Sequence, residues 1–96
     1  MELFIFARFH AREGRENAVA EALREVATPT RAEAGCRAMN YFRSIRDPRV
    51  FFVHSRWVDD DAFEIHAGMP HTVRFIEEVE PLIDHPLEVE RTHVMG

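Results

Sequence analysis

Apolar and polar positions alternate along several stretches of the chain, and this period of two predicts four β-strands. In the first stretch, Leu3, Ile5, Ala7 and Phe9 fall on one side of the strand. The predicted strands span Glu2–His10, Arg37–Ile45, Val50–Val58 and Leu87–Val94. A turn that contains Asp and Pro separates the second strand from the third, so these two are expected to form a hairpin.

Apolar residues at helical spacing predict a helix after the first strand, beginning near Arg15. Its apolar face is formed by Val19, Leu23 and Val26. Pro29 is expected to break or kink this helix, because proline lacks the backbone N–H that a helix interior needs. At most one further turn then precedes Gly35, a residue type that commonly ends helices.

A second helical segment is predicted after the third strand. Asp59 is its expected N-cap, and further acidic residues follow in the first turn, where the helix dipole stabilises negative charge. Gly68 and Met69 interrupt the segment. Pro70 is a suitable first residue for a restarted helix, which is expected to continue to about Ile83.

The order of elements, β-α-β-β-α-β, predicts a single α+β domain over residues 1–96 with a ferredoxin-like fold. In this fold an antiparallel sheet carries the helices on one face. The opposite face is also apolar here, since Phe4, Phe6, Phe52 and Val58 point away from the helices. Monomers seldom leave such a patch in water, so the sequence predicts a homodimer whose sheets cover each other.

Composition limits the classes of partner. The 96 residues carry a formal net charge of −5 at pH 7, so the chain lacks the positive charge on which nucleic-acid binding depends. No apolar run reaches the roughly 20 residues of a membrane span, and the first residues lack the order of a signal peptide. Cys36 is the one cysteine and has no intrachain partner. A cytoplasmic protein without a membrane or nucleic-acid partner is therefore expected.

The candidate chemistry follows the third strand, where His66 and His71 come nine and fourteen residues after Trp57. The indole of Trp57 either stacks on an aromatic ligand or anchors a helix to the sheet. His66 is either a general base or a hydrogen-bonded helix residue. His71 lies in the first turn of the restarted helix, where the dipole favours a neutral ring. That ring either exchanges a proton with a ligand or bonds locally.

A metal site is not expected from the spacing of the histidines. His66 and His71 are five residues apart, whereas ligands on one helical face are four apart. His10 and His54 have the opposite strand parity to Trp57 and therefore face the presumed dimer side. The chain has neither a second cysteine nor a His-x-His pair.

Several segments carry a resemblance to a known family: Ala7–Phe9, Thr30–Cys36, Tyr41–Ser44, Asp47-Pro48, Arg56-Trp57, Phe63–His66, Met69–His71 and Glu80–Leu82. In order and spacing they resemble the antibiotic biosynthesis monooxygenase (ABM) family. The resemblance implies a dimeric α/β barrel. It also implies a reaction of the kind that many members catalyse, the oxidation of quinols or polyketide phenols by dioxygen without metal or flavin. Haem-degrading enzymes and an isomerase of a phosphorylated signalling sugar belong to the same family.

The chain departs from these branches at polar positions. Where haem-degrading members have an Asn, a Trp and a His ligand, this chain has Ala7, His66 and Ile76. Where polyketide-oxidising members pair the strand-end Trp with an Asn and a Tyr, it has Val53 and Phe63. The isomerase has a further His on its first helix that this chain lacks.

These features together predict a monooxygenase that needs no cofactor and acts with dioxygen on a quinol, a phenol or another enolisable small molecule. His66 and His71 are the expected acid–base residues. The expected substrate-binding residues are Trp57, Phe51, Val53, Phe63 and Ala7. Two alternatives stay open: a dimeric binding or stress-response module without turnover, and an isomerase of a small hydroxy-carbonyl compound.

Overall fold

A computed structural model describes residues 1–96 and contains a four-stranded antiparallel sheet and three α-helices. In chain order the elements are β1 (Leu3–His10), α1 (Glu16–Arg31), β2 (Cys36–Arg43), β3 (Val50–Trp57), α2 (Asp60–Ala67), α3 (Pro70–Val79), a 3₁₀ turn (Glu80–Leu82) and β4 (Glu88–Thr92). The strands lie in the order β2-β3-β1-β4. The predicted ferredoxin-like fold is confirmed, and the strand ends differ from the predicted ones by one or two residues.

Of the two effects expected of Pro29, a break in α1 does not occur, because the helix continues through it to Arg31. Pro29 lies in the last turn, where a missing N–H removes only one bond from the helix. The residues around it also hold this turn against the sheet. Ala27 is 1% exposed and Thr30 is 2% exposed, so burial favours the helical path.

The second helical segment divides as predicted, but it ends earlier. The Asp59 carboxylate caps α2 by accepting a hydrogen bond from the N–H of Ala62 at 2.8 Å, and Pro70 is the first residue of α3. The helix ends at Val79 instead of Ile83, since Pro81 cannot supply the N–H that another helical turn needs. A 3₁₀ turn takes its place.

The core lies between the helices and one face of the sheet. The inward residues of β1, Leu3, Ile5, Ala7 and Phe9, are all buried, as are those that α1 and α3 turn toward them. The opposite face leaves Phe6 50%, Phe42 51% and Phe52 42% exposed in a single chain. None of the helices has the length and apolar character that crossing a bilayer requires.

Candidate active site

A cavity of about 270 Å³ lies between the inner face of the sheet and the helices. A cavity of roughly 150 Å³ holds benzene, so a ligand with one or two rings fits this volume. The walls are mostly apolar, and the polar side chains that reach the cavity are those of Thr30, Ser55, His66 and Thr72. A few polar groups in an apolar pocket are typical of small-molecule sites.

The imidazole of His66 is held in place by a buried carboxylate. His66 extends from α2, and its Nδ1 lies 2.6 Å from Oε2 of Glu33, whose side chain is 8% exposed. The ring also packs against Trp57, with 4.6 Å between ring centroids. Glu33 belongs to the connection between α1 and β2, where its N–H donates to the carbonyl of Thr30 at 3.1 Å. This turn fixes the direction from which the carboxylate approaches.

The same carboxylate oxygen also binds a second imidazole. Nε2 of His71, in the first turn of α3, lies 2.8 Å from Oε2 of Glu33. The Oγ1 of Thr72 lies 3.2 Å from Nδ1 of His66. Glu33 therefore joins three parts of the chain, the α1–β2 connection, α2 and α3, through two short hydrogen bonds.

The shared carboxylate assigns the tautomer of each imidazole in its neutral form. A carboxylate accepts hydrogen bonds and does not donate them, so His66 carries its proton on Nδ1 and His71 carries its proton on Nε2. The Nε2 of His66 then holds a free lone pair and has no hydrogen-bond partner within the protein. A histidine oriented by a carboxylate, with its second nitrogen free, is the arrangement of a general base.

Thr30, a residue beside the cavity, has a buried hydroxyl without a hydrogen-bond partner. The residue is 2% exposed, and its Oγ1 is buried without a hydrogen-bond partner. A buried hydroxyl normally finds a partner, because leaving one unpaired costs about 1–3 kcal/mol. Thr30 is among the residues that line the cavity, but its Oγ1 is itself shielded from it.

The side chain of Trp57 lies behind the cavity wall. It is 0% exposed, its Nε1–H donates to Oγ of Ser55 at 2.9 Å, and it packs with Leu3 and Ile5 in a small cluster of their own. Phe51, 2% exposed, belongs to the main core. Neither residue lines the cavity. The structure thus places both side chains behind the cavity wall, and the contacts of Trp57 are those of packing.

The remaining predicted site residues divide between two places. Ala7, Val53, Phe63 and His66 all line the cavity. His71 lines a separate pocket between α1 and α3. Its ring centroid lies 6.0 Å from that of His66, and both rings contact the same oxygen of Glu33. The structure thus brings the two histidines together, although their spacing does not fit one helical face.

Glu33 and Thr30 are the residues that sequence reasoning missed. Glu33 is separated from its two histidine partners by 33 and 38 residues, so no local period reveals the contact. The available signal was the place of Glu33, an acidic residue two positions before the close-packed Gly35. For Thr30, the signal was a hydroxyl four positions after Val26 on the buried face of α1.

Two clusters of side chains offer enough donors to hold a metal ion. One is Glu33, His66 and His71, and the other is His10, Asp84 and His85. In the first, the hydroxyl of Thr72 already shares the Nδ1 edge of His66, so a hydrogen-bonded cluster accounts for the geometry. The second lies outside the cavity. There the hydrogen bonds from both imidazoles lower the pKa of Asp84 to about 2.

The cysteine next to this site is not activated. Burial raises the pKa of the Cys36 thiol, and the neighbouring charge of Glu33 raises it further. A hydrogen bond from Sγ to the carbonyl of Ala38 at 3.5 Å lowers the pKa of the thiol, but its effect is smaller than that of burial. Cys36 packs against both clusters of the core.

Comparison with known proteins adds a family to this geometry. Residues 3–78 match the family described as antibiotic biosynthesis monooxygenase. Two relatives carry the name "Putative monooxygenase". Rv0793 of Mycobacterium tuberculosis is 32% identical over 88% of this chain and 83% of its own. YcnE of Bacillus subtilis is 28% identical over 85% of each chain. The solved structure of Rv0793 covers 100% of this chain, with 97% of its own residues aligned and a TM-score of 0.95.

Proposed function

The chain belongs to the antibiotic biosynthesis monooxygenase family, and from this membership we propose that it oxidises a phenolic, quinol-type or other enolisable small molecule with dioxygen. Family membership and the names of its relatives support a monooxygenase-like function. The observation that carries the finer proposal is the Glu33–His66 pair, which leaves Nε2 of His66 free beside an apolar cavity.

In the proposed reaction, Nε2 of His66 accepts the acidic proton of the substrate. The Glu33 carboxylate, 2.6 Å from the other ring nitrogen, stabilises the imidazolium that forms. The substrate anion is electron-rich and passes one electron to dioxygen. The substrate radical and superoxide then combine to a peroxide anion, and the His66 imidazolium returns its proton to give a hydroperoxide. Loss of water from the hydroperoxide leaves a carbonyl. One oxygen atom enters the substrate and the other leaves as water with two substrate hydrogens, so dioxygen is the oxidant and no further reductant is needed.

The other cavity residues orient the substrate. Ala7, Val53 and Phe63 supply the apolar walls. His71 positions Glu33 from the far side at 2.8 Å and does not itself meet the substrate. In this arrangement His66 is the catalytic residue, while Glu33 and His71 act through it.

We infer that the working unit is a homodimer in which two sheets cover each other. The support is the uncovered sheet face, where Phe6, Phe42 and Phe52 are 42–51% exposed, a patch that monomers seldom expose. Light scattering after size exclusion is expected to give twice the chain mass of 11.2 kDa. Phe6→Glu should shift the mass toward the monomer, whereas Ile45→Glu, on a fully exposed turn, should not. A monomeric wild type contradicts the proposal.

We also infer a cytoplasmic location. The single cysteine, Cys36, is a free thiol, which is the state that a reducing compartment maintains. Fractionation of the source cells tests this, and recovery of the protein outside the cytoplasm contradicts it.

One alternative has a specific observation in its favour. The cavity presents only four polar side chains, which suits a module that holds an apolar molecule without turning it over. An isomerase of a hydroxy-carbonyl compound, in contrast, needs several polar groups to hold its substrate. The alternatives differ in what happens to the ligand and to dioxygen.

Oxygen uptake with a panel of quinols and phenols tests the proposal. His66→Gln is expected to lower kcat by roughly 10²–10⁴-fold, the usual contribution of a general base. Glu33→Gln should lower kcat less and leave KM nearly unchanged, because it acts through His66. His93→Gln, at a residue with 45% of its side chain exposed, is the matched control.

Three outcomes contradict the proposal. Equal rates in wild type and His66→Gln would show that His66 is not the general base. A product that forms without oxygen consumption indicates an isomerase. A ligand that binds in the cavity and is recovered unchanged under air indicates a binding module.

A further inference from the structure

A second group of metal-ligating side chains lies at the opposite end of β1 from the Glu33 cluster. His10 is the last residue of β1, whereas Leu3, at the other end, pairs with Trp57 beside His66. Asp84 and His85 follow the 3₁₀ turn and meet His10 at the edge of the sheet. This group, His10, Asp84 and His85, takes no part in the proposed reaction.

We propose that His10, Asp84 and His85 form a binding site for a divalent transition-metal ion, with Zn²⁺ as the representative ion. Two imidazoles and a carboxylate are a common ligand set for zinc, which is usually four-coordinate, so water or the second Asp84 oxygen would complete the shell. The ligand class is the one that nitrogen and oxygen donors of this type select over Mg²⁺ or Ca²⁺.

The three donor atoms already converge. One donor atom from each of His10, Asp84 and His85 lies within 4.8 Å of the other two. His10 contacts Oδ1 of Asp84 closely, and His85 Nδ1 lies 2.7 Å from the same oxygen. The two rings stand nearly perpendicular, at 80° with 4.8 Å between centroids. An ion that replaces the shared protons needs the ligands to separate only slightly.

The backbone holds these ligands together without the side chains. The N–H of Asp84 donates to the carbonyl of His10 at 3.0 Å, and the N–H of Arg12 donates to the carbonyl of Leu82 at 2.8 Å. Ala11 and Ile83 form a β-bridge between these two bonds. The segment that carries two ligands is thus fixed to the end of the strand that carries the third. This lowers the ordering cost of binding an ion.

A second carboxylate stands behind the ligand on β1. Nε2 of His10 lies 3.9 Å from Oδ2 of Asp47, a distance that a bridging water spans. Asp47 is held in the β2–β3 turn, where its Oδ1 accepts from the N–H of Arg49 at 3.0 Å. Metal-binding histidines usually donate their other N–H to such a carboxylate. When the ion displaces the proton that Nδ1 shares with Asp84, His10 keeps a proton on Nε2, with Asp47 as its acceptor, and presents the lone pair of Nδ1 to the ion.

The ligands differ in exposure in a way that allows an ion to enter. The side chain of His10 is 14% exposed, that of Asp84 is 28% exposed and that of His85 is 61% exposed. His10 and Asp84 therefore form the fixed part of the site, while His85 is free to turn and close it. The Glu33 cluster, with exposures of 8–16%, has no ligand with comparable freedom.

Titration of the tag-free, EDTA-treated protein with ZnCl₂, followed by calorimetry, tests the proposal. We expect one Zn²⁺ per chain and no comparable signal with MgCl₂. His85→Ala and Asp84→Asn should each weaken binding by at least about tenfold. Asp47→Asn, which removes only the supporting carboxylate, should weaken it by about 10–100-fold as second-shell changes do.

Two variants are matched controls. His93→Ala removes an exposed histidine that also lies near a carboxylate, Asp60, at 3.6 Å. Glu33→Gln alters the other cluster. Both are expected to bind Zn²⁺ like the wild type. Absence of stoichiometric binding overturns the proposal, as does loss of binding in Glu33→Gln with retention in His85→Ala. Equal weakening by His93→Ala would reduce the site to adventitious binding by surface histidines.

Discussion

Replacing Thr30 with Val tests how the buried, unpaired hydroxyl of this residue affects the free energy of unfolding. Thr30 is 2% exposed in the last turn of α1, and its Oγ1 has no hydrogen-bond partner in the protein. Valine has the same shape with a methyl group in place of the hydroxyl, and its helix propensity is similar. The substitution therefore removes an unpaired polar atom and changes little else.

The expected magnitude follows from the state of this hydroxyl. An unpaired buried hydroxyl costs about 1–3 kcal/mol, so Thr30→Val should raise the free energy of unfolding by about 1 kcal/mol. For a domain of this size, that change raises Tm by about 4–8 °C. Few substitutions of a buried polar residue are expected to stabilise a protein, so the sign alone is informative.

Thr72 provides the matched control in the same cavity. Thr72 is 9% exposed, it also lines the cavity, and its Oγ1 lies 3.2 Å from Nδ1 of His66. Thr72→Val removes this hydrogen bond and should lower the free energy of unfolding by about 1 kcal/mol. The two threonine variants are thus expected to differ in sign.

Urea denaturation followed by circular dichroism measures both changes in the ligand-free protein. A shift in the midpoint with an unchanged slope is the expected form, since neither variant alters the exposed surface on unfolding. If Thr30→Val is destabilised as much as Thr72→Val, then the Thr30 hydroxyl is already paired, for example with water in the cavity. That result would refute the inference that the buried Thr30 hydroxyl is unpaired.

Three further predictions concern the surroundings of the site. Gly35→Ala should destabilise the fold by about 1–3 kcal/mol in urea titration, because a Cβ at Gly35 would lie 2.4 Å from Cβ of Ala62 in α2. Gly68→Ala is the control, since a Cβ there would have no non-adjacent neighbour closer than 3.8 Å. Equal stability of the two variants would refute the close approach at Gly35. The raised pKa of the Cys36 thiol should make its reaction with a disulfide reagent slower than that of free cysteine at neutral pH and faster as pH rises, whereas an equal rate would contradict the burial argument. Glu33→Ala should lower the free energy of unfolding by about 2 kcal/mol or more, because it leaves two ring N–H groups without an acceptor. The same titration measures this change, and a loss of under about 0.5 kcal/mol would show that these hydrogen bonds are weak.

The part of the fold that could be predicted from the sequence is the part that the local period of apolar residues determines. The alternation in β1 placed Leu3, Ile5 and Phe9 on the buried face, and the structure has all three at 2–3% exposure. The alternation of residues along a strand shows which face of the sheet a side chain lies on. It does not show whether that side chain reaches a cavity on that face. For this reason Trp57 was placed on the correct face and assigned to a cavity that it does not reach.

The centre of the candidate site could not be predicted in the same way. Its key contacts join Glu33 to residues 33 and 38 positions away, and they depend on how α2 and α3 dock on the sheet. The rule that two histidines five residues apart do not share a helical face is correct for one helix. It fails here because His66 and His71 belong to two helices separated by a break, and because a third residue supplies the common partner.

The contacts proposed for catalysis also hold helix α2 on the sheet. Helix α2 contains no fully buried residue, so its attachment depends on Ala62 against Gly35, Phe63 against Trp57 and His66 against Glu33. The carboxylate that orients His66 therefore also holds its helix on the sheet. A lower rate in Glu33→Ala would mix these two effects. Glu33→Gln keeps the volume of the side chain and an oxygen acceptor while it removes the charge, so a loss of kcat with α2 still in place isolates the electrostatic role of Glu33.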